Sequence, residues 1–303
     1  MNILVTGSSG TIGTRLCERL LASKHDCRGV DWKPNKWVPA VHKITTSADL
    51  RDETALGTLP TKIDMIVHLA ANARVYELVE HPDMARDNFL STFNTLEFAR
   101  KNSIRKIIFA SSREAYGNVD ADVLTEDMVQ VNSCESPYTA SKIGGEALVH
   151  AYQECYEIDS VIFRFSNVYG MYDDSQRVVP LFIRRAREGK TLTVFGREKC
   201  LDFTYIDDCV DGIMLAIEKF DAVKDDTYNI AFGEGNTLLR LAEKIKDLMQ
   251  SSSEICVESS RTGEVIRYIA DISKARVKLG YVPKVPFEEG VERAVAWYQE
   301  HSQ

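Results

Sequence analysis

Strand-like runs alternate with longer helical patterns through the first half of the chain. The runs fall at residues 3–6, 27–31, 65–70, 106–111 and 160–165, and the helical stretches at 11–23, 83–102 and 137–157. In the first of these helices Leu16, Leu20 and Leu21 share one face. Such alternation predicts a parallel sheet with helices on both faces. Another β-like run is read at 41–45. Beyond about residue 170 the elements shorten, with helices expected at 178–188, 207–219, 237–250 and 286–300 and a strand at 191–195. Pro283 and Pro286 precede the last helix. The expectation is an α/β protein: a doubly wound parallel sheet over 1–170, and a small C-terminal α/β lobe over 171–303. The lobe would cover the sheet's carboxyl edge, where ligands bind in such folds. No Gly/Ser/Pro-rich hinge separates the two, so they are expected to form one integrated unit.

Between the first run and the first helix lies Thr6-Gly7-Ser8-Ser9-Gly10-Thr11-Ile12-Gly13. In this strand–turn–helix setting Gly7 permits the tight turn, and Gly10 lets backbone approach a diphosphate. Gly13 allows close helix–strand packing, and the helix N-terminus presents free N–H groups to the anion. The next run ends at Asp31, placed to bind an adenosine ribose; no Arg follows directly, although Lys33 is close, which favours NAD over NADP. Asp49 is read either as a partner for the adenine amino group or, like Asp52, as a helix cap.

A net charge of −8 argues against nucleic acid or an anionic membrane as the main partner, and obliges an anionic substrate to find a local basic pocket. The seven cysteines are scattered without a C-x-x-C pair, so neither a disulfide framework nor a metal site is expected. No apolar run approaches membrane-spanning length. With the first strand at the N-terminus, no signal peptide is expected, and the reading is a cytoplasmic protein.

Tyr138 and Lys142 lie four apart at the start of a helix and share one face. An ammonium beside a phenol is expected to lower the phenol's pKa, letting Tyr138 act as a general base on an alcohol. Ser112, at the end of the run 106–111, is placed to hydrogen-bond the same hydroxyl.

With these residues the chain resembles the extended short-chain dehydrogenase/reductases of the nucleotide-sugar epimerase/dehydratase group, which have a Rossmann-type fold. The resembling segments are TGSSGTIG (6–13), HLAANARV (68–75), FASSREAYG (109–117), SPYTASK (136–142), RFSNVYG (164–170), LTVFG (192–196), DFTYIDD (202–208) and residues 261–281. The resemblance implies bound NAD that takes a hydride from a sugar, usually at C4. It makes Tyr138 the base, Lys142 its electrostatic partner and ribose ligand, and Ser112 the third member. It extends the cofactor contacts from Gly7, Gly10, Gly13 and Asp31 to Thr11, Ile12, Asp49, Leu50, Leu69, Ala70, Ala71 and Asn88. On the substrate side it implies Asn167 and Arg261 at a diphosphate and Phe195 stacked on a nucleobase. Outside the resemblance, Phe195 also reads as core and Asn167 as a turn cap. Leu201 stands where many of the group carry Arg, leaving one phosphate contact to Arg197, Lys199 or Arg177. A homodimer formed through the helices at 83–102 and 137–157 is also implied.

Glu114 bears on the reaction. Group members that break a further bond after forming a 4-keto sugar resemble this chain in carrying Glu there; alternatively Glu114 only orders the turn at Tyr116. Arg74 or Arg113 would serve a sugar carboxylate. Epimerisation at C4 of a nucleotide-diphosphate sugar, with UDP as the expected nucleotide, is the first reading. A 4,6-dehydratase and a UDP-glucuronate decarboxylase or epimerase are the alternatives. A non-enzymatic dinucleotide sensor is disfavoured because both Tyr138 and Lys142 are present.

Overall fold

Neighbouring apolar residues of the buried strands face opposite layers of the molecule. Ile3 and Val5 pack on one side of the central sheet and Leu4 on the other; Met65 and Val67 oppose Ile66, and Ile108 opposes Ile107 and Phe109. This period of two, with both faces covered, is why the strands read as apolar runs rather than alternating ones. The computed structural model describes residues 1–301. Its central sheet comprises β1 (Asn2–Thr6), β2 (Asp26–Asp31), β3 (Thr45–Ser47), β4 (Met65–His68), β5 (Lys106–Ser112) and β6 (Asp159–Phe165), with β10 (Asp226–Ile230) at one edge. The order is β3-β2-β1-β4-β5-β6-β10, and all pairings are parallel. Chain direction across the sheet reverses between β1 and β4, so a crevice opens at their carboxyl ends. This is the doubly wound, Rossmann-type sheet expected.

The helices form close to their expected bounds. Thr11–Leu21 covers one face through Leu16, Cys17 and Leu20. Asp83–Lys101 and Pro137–Tyr156 cover the other through Leu96, Phe98, Val149 and Tyr152. Three details of the central sheet differ from the sequence reading, besides the strands of the smaller lobe that it did not expect. Residues Pro39–Ile44 form a helix with Pro39 in its first turn, and only the short β3 follows; the ring of Pro39 fixes φ for helix entry. The run at 65–70 stops at His68, because Leu69 N–H and Ala70 N–H turn to the Thr6 hydroxyl at 3.1 and 3.2 Å. The third is β10, a strand not expected, which returns the chain beyond residue 170 to the central sheet. The division at 170 is therefore crossed by the chain.

The smaller lobe is built from β7 (Asn167–Tyr169), β8 (Leu192–Phe195), β9 (Cys200–Tyr205), β11 (Gly235–Thr237), β12 (Ile255–Glu258) and β13 (Arg267–Tyr268). Strand β9 is central, pairing with β7, β11 and β13, while β8 pairs with β12. Asp202 of β9 fastens this lobe to the sheet. Its carboxylate accepts from Phe232 N–H and Gly233 N–H, just past β10, and from Ala270 N–H. Among the described residues, no helix is long and apolar enough to cross a membrane.

Candidate active site

Gly7 adopts φ +69°, and a Cβ there would lie 2.8 Å from the Ala70 backbone nitrogen. A Cβ on Gly13 would come within 2.0 Å of the Gly7 carbonyl oxygen. Both glycines are thus required by the protein's own packing. Gly10 is different: a Cβ there would meet only the Gly7 oxygen, at 3.3 Å. The chain itself leaves room at Gly10, so the space in front of it is available to a ligand approaching the helix N-terminus. Asp31, at the tip of β2, accepts from Ser9 N–H (3.0 Å) in this turn and from Lys33 N–H (2.9 Å). The turn, the helix N-terminus and the β2 carboxylate together fit a dinucleotide.

Beside this turn, the carboxyl ends of β4, β5 and β6 and the facing strands of the smaller lobe line a cavity of about 320 Å³. Ser112, Tyr138 and Lys142 all line it, as do Ile12, Leu69 and Ala71 from the cofactor list. Tyr138 and Lys142 are placed by a well-signalled helix start. The Ser136 hydroxyl caps it by accepting from Thr139 N–H at 3.2 Å, and Pro137 occupies the first turn. Ser112 is the last residue of β5; its hydroxyl accepts from Glu114 N–H at 3.2 Å and favours the ionised form of Tyr138.

The electrostatics differ from the sequence reading. Lys142 Nζ donates to the Ala110 carbonyl at 2.7 Å and stands 5.9 Å from the centre of the Tyr138 ring. Burial raises the Tyr138 pKa, and the opposing influences are the Ser112 hydroxyl and the charges of Arg177 and Arg113. Lys142 is itself pushed down to about 8 by burial. The expected lowering of the phenol by Lys142 is therefore corrected: in this arrangement the ammonium is directed at a backbone carbonyl, and desolvation dominates at the phenol.

Glu114 is buried in the cavity wall. Its Oε1 pairs with Arg113 Nη2 at 2.6 Å, while its Oε2 and Arg113 Nη1 have no hydrogen-bond partner among the described residues. Burial raises the Glu114 pKa against the pull of Arg113 and Lys199. Arg113 Nε donates to Asn167 Oδ1 at 3.1 Å, and Asn167 Nδ2 donates to the Asp202 carbonyl. Asn167 lines the cavity with both side-chain polar atoms engaged. Phe195 and Arg261 also line it, stacked on one another: the guanidinium carbon lies 3.8 Å from the Phe195 ring centre and 4.8 Å from that of Tyr76.

Of the proposed substitutes for the missing arginine, Lys199 and Arg177 line the cavity beside Leu201. Lys199 is held by Glu264 at 2.6 Å, whereas Arg197 is exposed and outside the lining. Arg74 and Arg113 line the cavity too, and each already holds a carboxylate. In all, six lysines and arginines line this cavity (Arg74, Arg113, Lys142, Arg177, Lys199, Arg261) against three acids (Glu114, Asp173, Glu264). In a chain of net charge −8, that local excess is the basic pocket an anionic substrate requires. Tyr76, the second ring on Arg261, went unnoticed in the sequence because no local pattern joins residue 76 to 261.

The remaining cofactor candidates lie around the turn. Thr11 donates from its hydroxyl to the Tyr172 carbonyl, and Ala70 packs against Gly7. Asn88 braces the loop after β4: it accepts from Asn72 N–H at 2.7 Å and donates to the Asn72 carbonyl and to Ser141. Leu50 is buried, its carbonyl accepting from Asn94. Asp49 caps no helix; Asp52 does, accepting from Thr54 N–H. Both Asp49 oxygens are instead taken by Arg51.

A sequence profile of the NAD-dependent epimerase/dehydratase family matches residues 3–231. The chain belongs to this family. It is 31% identical to the UDP-glucose 4-epimerase of Mycolicibacterium smegmatis, over 100% of both chains. The crystal structure of the Thermotoga maritima UDP-glucose 4-epimerase with UDP-glucose superimposes with a TM-score of 0.92 at 29% identity, covering 100% of both chains. That of the dTDP-glucose 4,6-dehydratase of Streptomyces venezuelae with NAD bound gives 0.91 at 28% identity, covering 99% of this chain and 98% of the other.

Proposed function

We propose that this protein is an NAD-dependent 4-epimerase of nucleotide-diphosphate sugars, with a UDP-sugar as substrate. The observation that carries the reading is the convergence of Ser112, Tyr138 and Lys142 on one cation-rich cavity beside the glycine turn. The turn, the N-terminus of the helix Thr11–Leu21 and Asp31 hold the dinucleotide. Bound NAD supplies an oxidised nicotinamide that accepts hydride from C4 of the sugar and returns it.

Tyr138 Oη takes the proton of the 4-hydroxyl, and the Ser112 hydroxyl orients both partners. Burial alone leaves the phenol reluctant to ionise, so positive charge from Arg177 and Arg113 assists it. Arg261 binds the substrate's diphosphate through its rigid fork of donors, and Phe195 offers a face to the nucleobase. Both tasks require the Arg261–Phe195 stack to open or be shared. The 4-keto sugar then turns within the cavity and presents its other face. A separate surface bears on assembly: Phe89, Leu90 and Phe93 on the helix Asp83–Lys101, with Tyr156 at the end of the helix that carries Tyr138, are exposed at 42, 37, 40 and 41%. Such an apolar face supports the homodimer reading; light scattering is expected to give twice the chain mass, and a monomer would remove it.

One observation favours a second reading, 4,6-dehydration. The unpartnered, buried Glu114 Oε2 is a base able to take the C5 proton that a 4-keto group acidifies. Incubation with UDP-glucose followed by NMR of the products separates the two. The epimerase reading expects UDP-galactose; a 4-keto-6-deoxy product would replace it with the dehydratase reading. A uronate substrate has less support, since Arg74 and Arg113 are already paired.

A further inference from the structure

His68 ends β4 and is buried, and the chemistry above makes no use of it. It is not among the residues that line the cavity, yet it stands between the two contacts that shape the loop leaving β4. At one end of that loop the Thr6 hydroxyl accepts from Ala70 N–H at 3.2 Å and from Leu69 N–H at 3.1 Å, the latter shared with the Thr6 carbonyl. At the other end Asn88 accepts from Asn72 N–H and donates to the Asn72 carbonyl. His68 Nδ1 lies 2.8 Å from the Thr6 hydroxyl. Its Nε2 lies 3.3 Å from the hydroxyl of Thr92, one turn along the helix from Asn88.

The direction of each hydrogen bond follows from its protons. The Thr6 hydroxyl already accepts from two N–H groups, and among the described residues the acceptor for its own proton is His68 Nδ1. The Thr92 hydroxyl gives its proton to the Asn88 carbonyl at 2.9 Å, so it accepts from His68. His68 therefore carries a single proton, on Nε2. A proton on Nδ1 would leave the Thr6 hydroxyl hydrogen without an acceptor, and both residues are only 1% exposed. Burial and the charge of Lys142 act the same way, pushing the His68 pKa down to about 3 and keeping the ring neutral. Phe109 stacks on the imidazole at 5.9 Å with the planes 18° apart, which holds the ring's orientation.

We propose that His68 is a positioning residue for the cofactor site: its unprotonated Nδ1 turns the Thr6 hydroxyl so that its lone pairs hold Leu69 N–H and Ala70 N–H. That sets the loop which brings Leu69 and Ala71 into the cavity with Tyr138. The same loop bears on the glycine turn, since a Cβ on Gly7 would lie 2.8 Å from the Ala70 nitrogen, so a shift of Ala70 is felt there at once. His68 needs no contact with a ligand; it acts through Thr6. This rests on the NAD reading above and adds to it which buried group shapes the wall against the dinucleotide.

One test reads the tautomer directly. Long-range proton–nitrogen NMR spectra of the full chain with isotope-labelled histidine, at about pH 7, should show a neutral ring protonated at Nε2 that disappears in His68→Asn. A His68 ring protonated at Nδ1, or at both nitrogens, would overturn the proposal. The other test is NAD binding by equilibrium dialysis. In His68→Asn the amide oxygen takes the place of Nδ1, so NAD affinity should stay within about threefold of wild type. His68→Leu keeps apolar bulk but leaves the Thr6 hydroxyl unpaired, and NAD should bind about tenfold more weakly. Both variants remove the ring, so a merely structural ring would change NAD affinity equally in the two. That equality would overturn the positioning role and leave the cofactor reading intact. Where His68→Leu does not fold, the tautomer decides. Failure of the wild-type chain to bind NAD would overturn both readings.

Discussion

The two walls of the cavity are built differently. On the sheet side, Ser112 ends a strand, and Tyr138 and Lys142 begin a helix capped by Ser136, so each side chain is aimed by regular backbone. On the lobe side, Asn167, Phe195 and Arg261 are gathered by contacts between distant segments, and they engage partners of their own. Asn167 bridges Arg113 and the Asp202 carbonyl, while Arg261 lies on Phe195 and Tyr76. The contrast teaches a division of labour. On the function proposed, the sheet-side wall would hold the reacting groups to a fixed geometry, and the lobe-side wall would have to exchange internal contacts for substrate ones.

That contrast is exposed to direct tests. Replacing Ser112 by Ala on the sheet-side wall is expected to lower kcat about 100-fold, with KM for the nucleotide sugar changed far less. An equal effect on KM alone would erase the distinction. Arg261→Ala on the lobe wall is expected to do the reverse, raising KM about 10- to 100-fold while kcat stays within about fivefold, as steady-state kinetics would show. The smallest effect concerns the seam between the walls. Asp202 is buried against three backbone N–H groups, and burial pushes its pKa up to about 7. The folded state holds this proton more tightly than the unfolded chain does. Its stabilising contribution is therefore complete below about pH 4 and is lost as pH rises through about 7. Thermal unfolding across that range should show wild-type stability declining relative to Asp202→Asn; parallel curves would remove Asp202 as the cause.

Legibility in the sequence follows the same division. The main strands and helices were readable because buried parallel strands are apolar on both faces and because Ser136-Pro137 is a strong helix start. Strand β10 escaped notice because it carries Asp226, Thr227 and Asn229 on an edge, where pairing with β6 and not composition defines it. The helix at Pro39–Ile44 was misread because Val41 and Ile44 look like strand residues until Pro39 is given its weight. Within the site, residue types and positions were legible from Tyr138, Lys142, Ser112 and the glycines. Their mutual electrostatics were not. The turn of Lys142 toward Ala110, the capture of Asp49 by Arg51 and the Arg113–Glu114 pair all depend on contacts that no local spacing encodes.

The central claim is that Tyr138 exchanges the proton of the sugar's 4-hydroxyl beside bound NAD. Its most direct test is turnover of UDP-glucose by Tyr138→Phe, measured alongside NAD binding by equilibrium dialysis. The account predicts a loss of turnover of about 1,000-fold with NAD affinity unchanged. Turnover within about tenfold of wild type, with NAD bound, would contradict it.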